Sequence, residues 1–208
     1  MFPGTGYDSN VYLITGNRPM LVDAGTGDHL RHLVRDLSDF IDVREVDTIV
    51  LTHRHYDHVG GAAQLQKACD AKVLMHQFDA APVIEGSSSG TEARMFRRNM
   101  DPVTVSTLEG GEVLDTGEHK LQIIHCPGHT IGGISLFDTE GRNLISGDTV
   151  FAGGVGRWDL PTGDRTALVE SVKRLAALRP VNLFPGHGPC AQGDAEAYLE
   201  EALDYLGE

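Results

Sequence analysis

The sequence is poor in cysteine, in basic residues and in long apolar runs, and each shortage removes a class of protein. Its 208 residues hold three cysteines, Cys69, Cys126 and Cys190, an odd set, widely spaced and without a C-x-x-C pair. Such a set builds no disulfide framework, so a reducing compartment, the cytoplasm, is expected. Basic residues number 17 against 30 acidic ones, a formal net charge of −13. Nucleic-acid binding draws on phosphate neutralisation by Lys and Arg, and no nucleic-acid partner is expected. The one dense basic cluster, Arg94, Arg97 and Arg98, reads as a solvated helix face. No apolar run approaches the ~20 residues that span a bilayer, and the start of the chain lacks the basic-then-apolar pattern of a signal peptide. No membrane partner is expected. What remains is ordinary for a globular protein, 40% apolar and 23% charged, in a length that makes one domain over residues 1–208.

Against that background the run Thr52-His53-Arg54-His55-Tyr56-Asp57-His58 is dense with chemistry. It follows the apolar, β-branched stretch Val46–Leu51, which reads as a buried strand. The imidazoles therefore sit at a strand's carboxyl end, where open α/β folds gather their sites. Neutral imidazole and carboxylate suit zinc or iron. Crowding such groups together costs desolvation unless something binds them. Further ligand types recur just after apolar runs: His129 in Cys126-Pro127-Gly128-His129, Asp148 in Ser146-Gly147-Asp148, and His187 in Pro185-Gly186-His187-Gly188. The flanking Gly and Pro let the backbone turn sharply and approach a site closely.

The rest of the chain reads as an α/β alternation. Strands are expected at Val11–Thr15 and Met20–Asp23 around a tight turn, then at Lys72–Met75, Val103–Leu108, Leu121–His125, Ile134–Phe137, Asn143–Ser146 and Val181–Phe184. Asp23-Ala24-Gly25-Thr26-Gly27 is another strand end, expected near the floor of the site. Helices are expected at His29–Phe40 with Asp28 as N-cap, and at Ala62–Cys69, Ala167–Leu178 and Ala195–Leu206. Ile84–Pro102 lacks clean periodicity around Gly86-Ser87-Ser88-Ser89-Gly90, and two readings stand: a mobile loop over a site, or a surface loop without a role. Cys126 reads as core packing, because a buried free Cys behaves as a small hydrophobe. His76 and His125 read as structural or as supports behind the ligands, and His29, His32 and His119 as surface residues.

The motif set T-H-x-H-x-D-H-x-G-G (Thr52–Gly61), C-P-G-H-T-x-G (Cys126–Gly132), S-G-D-T-x-F-x-G-G-x-G-R (Ser146–Arg157) and P-G-H-G (Pro185–Gly188) resembles the metallo-β-lactamase superfamily, and within it the glyoxalase II-like hydroxyacylglutathione hydrolases. The resemblance implies an αββα sandwich, here either without its usual first edge strand or starting further upstream. It implies two divalent metal ions, zinc first, with iron or manganese as alternatives. His53, His55 and His129 would hold one ion, Asp57, His58 and His187 the other, and Asp148 would bridge them. Asp57 would also orient the attacking hydroxide. The implied reaction is hydrolysis of a small thioester or ester such as S-lactoylglutathione. Arg157 stands where relatives bind substrate: it could clasp a substrate carboxylate or pair with Asp159 or Asp164 to shape the loop. No C-terminal helical glutathione-binding domain is expected. The mononuclear iron persulfide dioxygenases share G-x-G-R-x-D and form the rival reading.

Overall fold

The computed structural model describes residues 1–208, which form two compact units. The first comprises Met1–Leu108 with Asp115–His119, the second Glu109–Leu114 with Lys120–Glu208.

In the first unit, β1 (Tyr12–Ile14), β2 (Met20–Val22), β3 (Thr48–Leu51), β4 (Lys72–His76) and β5 (Val105–Leu108) form one sheet in sequence order. β1 and β2 make an antiparallel hairpin, and the remaining neighbours are parallel. Phe2 bridges Val11 antiparallel beyond the start of β1. The helices are α1 (Leu30–Leu37), α2 (Tyr56–Val59), α3 (Ala62–Cys69) and α4 (Gln77–Ile84). β3 is buried at all four residues, the continuous apolar signature of an interior parallel strand. Its Ile49 and Leu51 join Leu21, Val73 and Met75 from neighbouring strands and Leu37, Val59, Leu65 and Val83 from the helices in one core. Each such side chain contributes about 1.5–3 kcal/mol by leaving water.

In the second unit, which holds β6 (Val113–Asp115) except for its last residue, β6, β7 (Lys120–His125), β8 (Ile134–Asp138), β9 (Asn143–Gly147), β12 (Asn182–Pro185) and β13 (Ala191–Gln192) form a sheet of order β13-β12-β9-β8-β7-β6, with β10 (Val150–Phe151) and β11 (Gly154–Val155) as a separate hairpin. β12 runs parallel to β9, whereas β8 is antiparallel to both β7 and β9. The helices α5 (Arg165–Ala177) and α6 (Ala195–Tyr205) close a second core of Leu144, Leu183, Leu168, Val172, Leu175 and Leu199. Asp164 caps α5, its carboxylate accepting from the Ala167 amide at 2.9 Å.

Two expectations are corrected. His29, not Asp28, is the N-cap of α1, because the Asp28 carboxylate accepts from the Arg98 guanidinium instead. Between α4 and β5 the Thr91 carbonyl accepts from the Tyr56 amide at 2.8 Å, Ser88 Oγ accepts from the Met100 amide at 3.0 Å, and Ala93–Phe96 forms a 3-10 turn. Arg94, Arg97 and Arg98 are exposed, as expected, on and just after that turn and not on a regular helix face. No helix is long and apolar enough to cross a membrane.

Candidate metal centre

Every sequence-predicted ligand lies just beyond the carboxyl end of a strand: His53, His55, Asp57 and His58 after β3, His129 after β7, Asp148 after β9 and His187 after β12. Four ligands belong to the first unit and three to the second.

In the first unit the peptide leaves β3 and turns at once into the one-turn helix α2. His53, His55 and His58 are buried and Asp57 is half-buried. One ligand atom of His53 lies within 4.8 Å of one from His55 and one from His58, and Asp57 and His58 are equally close. The arrangement is held from below by Asp23. Its carboxylate accepts from the Thr52 amide (2.8 Å) and hydroxyl (2.9 Å), and lies 2.8 Å from His58 Nδ1. A carboxylate on Nδ1 fixes the imidazole tautomer and orientation and leaves Nε2 as the ligand atom, the arrangement that metal-binding histidines adopt. Asp23 adopts φ 65°, a left-handed conformation that costs a non-glycine residue on the order of 1–2 kcal/mol. The three hydrogen bonds accepted by its side chain offset that cost. Asp79, wholly buried in the first turn of α4, accepts from the Arg54 amide at 3.1 Å and steadies the loop between His53 and His55.

In the second unit, Asp148 Oδ2 lies 3.6 Å from His129 Nε2 and 3.6 Å from His187 Nε2. These separations exceed a hydrogen bond. They approach the spacing of about 3.4 Å between donor atoms that share a tetrahedral ion at about 2.1 Å. His129 is anchored differently from His58: its Nδ1 donates to the backbone carbonyl of Arg157 at 2.6 Å. Glycine makes that approach possible. A Cβ on Gly156 would stand 1.9 Å from the Asp148 carbonyl oxygen and 3.0 Å from His129 Cγ. Gly128, at φ +141°, lies so close to α5 that a Cβ would meet Leu168 Cα at 2.3 Å. The donor set, imidazole Nε2 atoms with Nδ1 already engaged plus carboxylate oxygens, fits zinc or iron.

Cys126 is buried in the second core, and burial pushes its thiol up to about 11. It is neutral at physiological pH, unlike the thiolate that nucleophile or ligand chemistry requires. His76 Nδ1 accepts from the Phe78 amide and caps α4, and His125 Nε2 lies 2.9 Å from the Ile131 carbonyl. Both are structural contacts. The Arg157 guanidinium makes a two-pronged, solvent-exposed pair with Asp159, at 2.9 Å for each contact. That pair holds the Asp159 carboxyl below the usual carboxylate range.

The sequence reading marked Asp23 only as a strand end and missed its hydrogen bonds to His58 and Thr52. An acid directly after an apolar strand was the signal available. Asp79 and the Arg157 carbonyl carried no signal, the first because it lies on a helix and the second because it belongs to the main chain.

A family model described as the metallo-β-lactamase superfamily matches residues 4–187. A probable metallo-hydrolase of Methanocaldococcus jannaschii, MJ0888, is 36% identical over 95% of this chain and 96% of its own length. The hydroxyacylglutathione hydrolase GloC of Haemophilus influenzae is 28% identical over 90% of this chain and 89% of its own. Among solved structures, TTHA1623 in a di-iron-bound form superposes with a TM-score of 0.78 at 38% identity, covering 95% of this chain and 97% of the other.

Proposed function

This chain belongs to the metallo-β-lactamase superfamily and has its fold, and from that premise we propose that it is a metal-dependent hydrolase of a small thioester. We assign both units to a single catalytic domain. His53, His55 and His129 are assigned to one metal position, Asp57, His58 and His187 to the other, and Asp148 to both. The observation that carries the reading is the anchoring of His58 and His129 through Nδ1, by Asp23 and by the Arg157 carbonyl. That contact directs each Nε2 outward as a ligand atom before anything binds.

Divalent ions bound there would bring the pKa of a water towards neutrality and polarise a carbonyl. The protein's own part is positional. Asp57, half-buried at the start of α2, is assigned as the acceptor that orients the attacking water. The buried imidazoles keep bulk solvent from the reacting carbonyl. In the overall step the water oxygen joins the acyl carbon, the carbon–sulfur bond breaks, and the thiol leaves with the proton. No side-chain nucleophile is required, in keeping with the raised pKa of Cys126.

The thioester class is supported by the GloC relative, and S-lactoylglutathione is the first compound to assay. Zinc suits the ligand set, and the di-iron-bound TTHA1623 structure makes iron the alternative to measure. Elemental analysis of protein produced in metal-supplemented medium, paired with thioester assays, tests the proposal. About two transition-metal ions per chain and release of free thiol are expected. One iron per chain, with oxygen consumed on glutathione persulfide and no thioester cleaved, would overturn it in favour of the dioxygenase reading.

A further inference from the structure

Beside the metal motif, the first unit carries a groove of about 700 Å³ that the catalytic assignment leaves unused. That volume is in the range of small-molecule sites. One wall is apolar. Tyr7 and Phe96 meet edge to face at 6.2 Å, and Met95 beside them is 59% exposed, as Tyr7 is at 79%. Large apolar side chains this exposed mark contact surfaces when they cluster. The wall adjoins the motif: Phe96 also packs on Tyr56 at 5.6 Å, and Tyr56 stands between His55 and Asp57 in the sequence.

Asp8 is engaged by His29 Nδ1 at 2.6 Å and by the Thr26 amide at 2.7 Å. Asp28 is paired with Arg98 at 2.9 Å. Arg97, which also lines the groove, pairs with no carboxylate. It is held at the end of the Ala93–Phe96 turn in a left-handed conformation, φ 57°. There it ends the turn, its amide donating to the Arg94 carbonyl at 3.0 Å. A guanidinium with no carboxylate partner, beside an aromatic wall, offers its donors to an anionic group.

We propose that this groove binds the thiol-side portion of the substrate and that Arg97 selects a thiol carrying an anionic group. This rests on the thioesterase reading above and adds the substrate's thiol class to it. A carboxylate of a peptide thiol and a phosphate of a nucleotide thiol share the required chemistry, because guanidinium forks pair with both. The apolar stem of either lies along Tyr7, Met95 and Phe96.

The test uses three thioesters of one acyl group: of glutathione, of coenzyme A, and of the uncharged thiol N-acetylcysteamine. Arg97→Gly removes the charge and relaxes the left-handed backbone, which guards against loss of fold, and Arg97→Glu reverses the charge. KM for the preferred anionic thioester should rise about tenfold in Arg97→Gly and further in Arg97→Glu. kcat should hold within about twofold, and the N-acetylcysteamine thioester should be unaffected. Which anionic thioester suffers more identifies the source of the anion. Equal effects on charged and uncharged thioesters, or none on either, overturn the assignment. Calorimetric binding of non-cleavable S-alkyl thioethers of glutathione and coenzyme A reads the groove without turnover. Failure of every thioester assay with Arg97-dependent thioether binding intact would sink the thioesterase reading alone. Binding indifferent to Arg97 would sink the groove assignment.

Discussion

The two units present their metal-binding side chains by opposite means. The first delivers four ligands from six consecutive residues, and a side chain, Asp23, fixes His58 and the Thr52 that opens the run. The second delivers three ligands from three separate strand ends and fixes His129 with a peptide carbonyl under glycine-enabled close packing. Each set has one more open member, Asp57 in the first and His187, 31% exposed, in the second. A contiguous set keeps its internal geometry as long as one loop holds. A dispersed set depends on the register of β7, β9 and β12 against one another, and so on the second core.

The largest effect is expected where the two sets are proposed to meet. Asp148→Ala should lower turnover by on the order of 10³-fold or more, as loss of one member of a catalytic unit does, and should lower bound metal more than His55→Ala does. Both proteins should remain folded, because the ligands stand on strand ends above cores built by other residues. Metal analysis, circular dichroism and turnover on one sample decide it. Wild-type turnover in metal-verified Asp148→Ala would remove that residue from its shared role.

A smaller effect separates the two anchoring modes. Asn tolerates the left-handed backbone of Asp23, so Asp23→Asn should leave the backbone in place and change the contacts to His58 and the Thr52 hydroxyl. About 10–100-fold loss of metal affinity is expected, the usual consequence of removing a partner behind a ligating histidine. Arg157→Ala keeps the carbonyl that holds His129, and metal affinity should change by less than about threefold. Equal losses in competitive chelator titrations would erase the distinction between the two units.

The smallest effect concerns the second core alone. Cys126 titrates at about 11 in the fold against an ordinary value of 9.0. Between those values the folded protein keeps a proton that the unfolded chain releases, so stability falls as pH rises from about 9 to about 11. The loss is at most about 3 kcal/mol from two pKa units. Cys126→Ala should unfold with a shallower pH slope over that window in denaturant titrations, and an unchanged slope would contradict the assigned cause.

Most of this architecture could be read from residues. The buried run into β3 and the Gly- and Pro-flanked ligands located every strand end of the candidate site, and α3 spans Ala62–Cys69 as the apolar spacing predicts. What escaped was short or non-local. The strand pair β10 and β11 is two residues long on each side, too brief for alternation to register. α2 is a single turn whose residues were read as ligands, and α4 carries Pro82 near its end. The Asp28 cap failed because its competitor, Arg98, lies 70 residues away in sequence. Asp23 and Asp79 act through contacts across 35 and 25 residues, and such contacts leave no periodic trace.

The carbonyl that holds His129 also bears on how this protein can change over generations. A side-chain anchor is lost by one codon substitution, but a peptide oxygen persists whatever amino acid is encoded at position 157. Selection can therefore exchange the Arg157 side chain, which projects into solvent with its partner Asp159, to follow a new substrate while the histidine beneath it stays aimed. Gly156 beside it has no such latitude, since any Cβ there collides with the Asp148 backbone. Adjacent positions of one loop thus evolve under opposite rules, one open to invention and the other closed.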